Sequence, residues 1–151
     1  MQTILVASDA PTLRREIEAV ISGPDVEVHA VMSGPEVVSF VTEESPDLVI
    51  VDMQMGNMGG MAVCLELRLE ESYDAVDHIP VLMLLDRRPD VFLARRSGAE
   101  GWLVKPLDPM RLRRAVIALL NDGTYADDSY MPVPVLVGAG PQLEAGTEPA
   151  S

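Results

Sequence analysis

Cysteine occurs only once in this 151-residue chain, at Cys64, so no intramolecular disulfide can staple the fold, and a reducing cytoplasm is the natural compartment. Long hydrophobic runs are missing too. Leu48–Val51, Val81–Leu85 and Ala115–Leu120 all fall far short of the ~18 residues that a membrane helix requires. The opening MQTILVASDA puts no basic region ahead of an apolar segment, which argues against a secretory signal. Cationic residues are scarce: 11 Lys and Arg face 24 Asp and Glu, for a formal net charge of −13. A chain of that charge is repelled by nucleic acid as a whole. His29 and His78 share no ligand spacing with other His or Cys residues, which argues against a transition-metal site. No glycine-rich phosphate loop follows the first apolar run, which counts against a nucleotide-binding domain.

What is present is the material of one globular domain. Hydrophobic residues make up 48% of the chain, too many for a disordered protein of this charge. Apolar runs and helical patterns alternate. Thr3–Ala7 predicts a first strand, and Pro11 opens a helix carrying Leu13, Ile17, Val20 and Ile21. Val26–Val31 is a second strand. Ser33 and Glu36 have capping-box spacing ahead of a second helix. Leu48–Val51 and Pro80–Leu85 lack polar alternation, the mark of strands buried on both faces. Helices are expected over roughly Met61–Glu71, Asp90–Arg96 and Met110–Leu120, the last capped by Asp108-Pro109, with a fifth strand at Gly101–Val104. Five strands alternating with five helices predict an α/β fold: a five-stranded, parallel, doubly wound sheet of flavodoxin-like (βα)5 type. Residues 122–151 change character. They hold five acids, no Lys or Arg, and a Pro/Gly/Ala-rich run, and read as a tail in which Tyr130 and Val133–Val137 could anchor.

Open parallel sheets bind ligands beyond the carboxyl ends of their strands. The residues there are Ser8-Asp9, Asp52, Leu85-Asp86 and Lys105-Pro106. Two carboxylates and a lysine on one rim suit a hard cation, with the lysine countering a phosphoryl charge.

In that order and spacing, ILVASD, PDLVIVDMQMGNMGG, IPVLMLL and GAEGWLVKP resemble the receiver domain of two-component response regulators, the CheY-like family, over residues 1–121. The resemblance implies that Asp52 is the phosphoacceptor and that Asp9 binds Mg²⁺. It implies that Gln54 completes the metal site through its backbone carbonyl, and that Lys105 pairs with the phosphoryl oxygens across a cis Lys105-Pro106 bond. Trp102 falls where the family often has a switching aromatic. The implied partners are a histidine kinase or phosphotransfer protein upstream and another protein downstream.

Four positions depart from the family pattern. Ser8 replaces a second acid, which lowers the expected Mg²⁺ affinity but leaves a hydroxyl able to orient a metal-bound water. Leu85 replaces the hydrogen-bonding Ser or Thr of the switch. A bond of that kind to a charged group is worth roughly 1.5–3 kcal/mol, against about 5.5 kcal/mol for a full two-state shift. Asp86 stands where a small residue is usual and would repel a phosphoryl group if it faced inward. Gly56 replaces a proline. These departures keep a second reading open: a degenerate receiver acting as a phosphorylation-independent interaction module. Of the remaining residues, the methionines around Asp52 read as gap-fillers or surface, and Cys64 as a buried, inert thiol.

The charge is segregated. Residues 1–86 carry a net −13, residues 87–114 a net +5, and residues 115–151 a net −5. The basic stretch spans the fourth helix, fifth strand and fifth helix, the face through which receivers usually signal and dimerise. Two uses follow: the acidic tail covers that face, or the face engages an acidic partner or a second copy.

Overall fold

The computed structural model describes residues 1–127. Six parallel strands form one sheet in the order β2-β1-β3-β4-β5-β6. They are β1 (Gln2–Ala7), β2 (Val26–Val31), β3 (Leu48–Asp52), β4 (Val81–Leu85), β5 (Gly101–Val104) and β6 (Tyr125–Ala126). The helices are α1 (Pro11–Ile21), α2 (Gly34–Glu44), α3 (Gly60–Ser72), α4 (Val91–Arg96) and α5 (Pro109–Leu120). A short 3₁₀ turn at Arg88–Asp90 precedes α4, so the helix expected from Asp90 to Arg96 begins one residue later, at Val91.

The strand patterns explain the layering. Every residue of β3 and β4 is buried, as uninterrupted apolar runs require in a sheet covered on both faces, whereas no residue of VEVHAV in β2, at the edge, is fully buried. One core joins α2, α3 and α4 to the sheet through Val37, Val41, Val63, Leu67, Val91 and Ala94. The other joins α1 and α5 through Ile17, Ile21, Leu112 and Leu119. Cys64 is fully buried. Desolvation is the main cause that raises its thiol pKa above the ordinary value, so it stays protonated.

Helix starts carry their own chemistry. Pro11, Pro35 and Pro109 open α1, α2 and α5. Asp108 accepts from the Arg111 N–H at 3.3 Å, as an N-cap should. At α2 only half of the expected capping box forms: Glu36 accepts from the Met32 N–H and the Ser33 hydroxyl, and Ser33 caps no backbone N–H.

The sixth strand corrects the expectation of five. Asp122 takes the left-handed conformation (φ 62°), and the Gly123 N–H closes on Ala118 O at 2.8 Å. The chain therefore turns back along the sheet as soon as α5 ends. Tyr125 and Ala126 pair with Gly101 and Trp102, although the sequence change after Asn121 had placed them in the tail. Tyr130 and Val133–Val137 lie outside the described residues.

Candidate functional site

The strand order reverses between β1 and β3, and the crevice at their carboxyl ends lies between Ser8-Asp9 and Asp52. Asp52 closes β3 and is only 2% exposed. Its Oδ1 accepts from the Lys105 ammonium at 2.7 Å and from the Gln54 N–H at 3.2 Å. Its Oδ2 accepts from the Ser8 hydroxyl at 2.9 Å. A buried carboxylate needs such partners, because leaving it unpaired costs several kcal/mol.

Ser8 is itself fully buried, and its Oγ accepts from the Ala10 N–H at 3.1 Å. The hydroxyl expected to orient a metal-bound water is therefore directed at Asp52. This is a local consequence of the departure at position 8: where a second carboxylate would repel Asp52, a hydroxyl donates to it.

Lys105 follows β5 and divides its ammonium between two acids, reaching Asp86 at 3.1 Å as well as Asp52. Partial burial alone would lower its pKa. The hydrogen bonds it donates to Asp52 and Asp86, and then their charges, outweigh that and raise it above the ordinary lysine value. The Lys105-Pro106 bond is cis. Asp86 thus points at the lysine, and it competes with any phosphoryl group for the same cation.

Asp9 is exposed and accepts from the Gly56 N–H at 3.0 Å, which ties the loop after β3 to the end of β1. That loop folds back tightly. The Gly60 N–H donates to Met53 O at 3.1 Å, and a Cβ on Gly59 would stand 2.5 Å from the same oxygen. Met53 and Met55 turn inward and join the core, which settles them as packing residues.

For Mg²⁺, the chain offers the carboxylates of Asp9 and Asp52 and the Gln54 carbonyl. This all-oxygen set is of the kind a hard cation prefers. Among the described residues no group of three or more His, Cys, Asp or Glu side chains could hold a metal. The oxygen chemistry of these donors suits the ion, but the set holds one carboxylate fewer than the family pattern, so water would have to complete the shell.

The remaining two candidates stand apart from this network. Leu85 is fully buried in the core shared with α4 and brings no donor to the rim. Trp102 sits in the middle of β5 between Met83 and Ala126, 8% exposed, with the Arg95 guanidinium 5.4 Å from its ring.

Two residues the sequence had not singled out also meet near this rim. Asp127, 2% exposed, accepts from the Val104 N–H at 2.9 Å and from Arg111 at 3.3 Å. No motif announces that pairing.

Residues 4–117 match the response regulator receiver domain family. The DNA-binding response regulator MtrA of Mycolicibacterium smegmatis is 32% identical over 122 residues, covering 80% of this chain and 51% of that protein. The response regulator PleD of Caulobacter vibrioides is 30% identical over 149 residues, covering 93% of this chain and 32% of that protein. The chain thus spans about half the length of MtrA, and less of PleD. Among solved structures, the chemotaxis response regulator CheY4 of Vibrio cholerae is similar at a TM-score of 0.70 and 26% identity, covering 79% of this chain and 98% of that one. With the sheet order and the family match in agreement, the chain belongs to the response regulator receiver domains of two-component signalling.

Proposed function

We propose that this receiver accepts a phosphoryl group on Asp52 from a histidine kinase or phosphotransfer protein and signals by protein contact. The observation that carries the reading is the Lys105 ammonium 2.7 Å from a carboxylate that is otherwise buried at the switch in strand order. In the reaction an Asp52 oxygen attacks the phosphorus of a phosphohistidine. The P–O bond forms as the P–N bond breaks, and the imidazole leaves as the neutral ring once protonated. Lys105 then pairs with the phosphoryl oxygens, for which it must loosen its hold on Asp86. Bound at Asp9, Asp52 and the Gln54 carbonyl, Mg²⁺ would supply charge neutralisation to the transferring group. The new charge, about −1.5 to −2, perturbs the rim and, through β5 and Trp102, the α4–β5–α5 face.

Intact-mass measurement with a small phosphodonor and Mg²⁺ tests this, with Asp52→Asn as the control. One phosphoryl adduct that is lost in the variant is expected. No adduct on the parent chain would sink the reading.

A specific feature favours a second reading, in which the domain binds its partner without phosphate. The Ser8 hydroxyl and Lys105 already neutralise Asp52, and Leu85 offers no donor to an incoming phosphoryl group. Partner affinity that is equal for the parent chain and Asp52→Asn would select it.

A further inference from the structure

We infer that Gly123–Asp127 is an intramolecular strap that closes the β5 edge against a second copy of this chain, with Asp127 as its latch.

Without β6, β5 would be the last strand of the sheet. Its free side would then present unpaired N–H and C=O groups, a template on which another chain can add a strand. The species always available to do so is another copy, related by a two-fold axis that would set β5 against β5.

The chain's own segment occupies that side. The Tyr125 N–H donates to Glu100 O at 3.1 Å, and Tyr125 and Ala126 lie in register with Gly101 and Trp102. Gly101 is what admits them. A Cβ there would stand 3.1 Å from Tyr125 O and 3.1 Å from a Leu119 methyl, closer than side-chain carbons ordinarily come. The next edge position, the Val104 N–H, is taken by the carboxylate of Asp127, which Arg111 of α5 holds from the other side. A strand of two residues ending in a buried acid satisfies the edge and offers little new edge of its own.

This inference does not depend on whether Asp52 is phosphorylated, and its test uses unphosphorylated full-length chain. Amide hydrogen exchange is read at Val104, and self-association by sedimentation, in the parent chain and in Asp127→Ala and Tyr125→Pro. Protection at β1 and β3 amides shows that each variant is folded, and Asp127→Asn serves as the milder replacement if the alanine variant is not. The parent should remain monomeric with Val104 protected. In Asp127→Ala the Val104 amide should exchange at least about tenfold faster in dilute solution, with protection recovered as concentration rises and dimer appears. Tyr125→Pro should dimerise likewise. Unchanged Val104 exchange in Asp127→Ala would show that no latch exists. Faster exchange with both variants still monomeric would show that the strap guards nothing. A parent that dimerises as readily as the variants would overturn the proposal equally.

Discussion

Asp52 and Asp127 are both 2% exposed, both lie at the carboxyl end of the sheet, and each is held by a cation and a backbone N–H, with the Ser8 hydroxyl added at Asp52. They differ in what holds them. Asp127 is met by one nitrogen of Arg111 at 3.3 Å, a rigid planar group that also faces Asp108 at 3.5 Å. Asp52 is fixed by Lys105, a compact charge on a flexible stem that is already shared with Asp86. Both cations divide themselves between two acids, and what differs is a rigid planar group in one case and a flexible stem in the other. Burial alone does not separate the two acids here; the kind of cation does.

The sharpest way to break the comparison is Asp52→Asn, which should abolish phosphoryl uptake altogether by intact mass while leaving far-UV circular dichroism unchanged. Lys105→Ala should come next. It strips the buried Asp52 of its cation, and urea unfolding should show a loss of about 1–3 kcal/mol, below the figure for a fully buried pair because Lys105 is partly open to solvent. Unchanged stability would mean that Ser8 and the Gln54 N–H suffice for Asp52. Ser8→Asp restores a second acid and should tighten Mg²⁺ by about tenfold, about 1.4 kcal/mol, measured through Trp102 fluorescence. In metal-free buffer the same variant should be less stable, since two carboxylates then face each other. Asp86→Ala releases half of the lysine's engagement. As an exposed pair it should cost less than about 1 kcal/mol, while speeding phosphoryl uptake if Asp86 is the competitor its geometry suggests.

The smallest effect is that of pH. Because the folded environment holds the Lys105 pKa above its ordinary value, the ion pair's contribution is fully present below about pH 10.4 and is lost as pH rises through the folded value. Unfolding followed from pH 7 to 9 should therefore show no pH dependence from this group, whose contribution is constant there. The Asp52→Asn and parent stabilities should converge only at more alkaline pH.

Much of this was legible in the sequence. The apolar runs of β3 and β4 carry no other reading, and each ends in the residues that form the rim, so Asp52, Asp86 and Lys105 could be placed before any coordinates. The partner of Ser8 could not be placed, because a hydroxyl's target depends on a side-chain rotation that spacing does not encode. β6 was hidden for a different reason. Two residues set no periodicity, and the signal that the chain turns back is a left-handed Asp122 beside Gly123, in a stretch whose composition resembles a loop. Asp127 is unreadable for the same reason, since its burial depends wholly on that turn.

The tight fold-back after β3 bears on how such a domain can be told from its relatives. A side chain at Gly59 or Gly60 would drive into the backbone oxygens of Met53 or Asp52, whereas one at Gly56 would meet only ordinary contact with Asp9. Substitution in this loop is thereby channelled to positions 54, 56 and 57, all of them exposed. Gln54 and Asn57, with Gly56 open to a side chain between them, make a short stretch beside Asp52 whose surface can change while the backbone beneath it stays as it is.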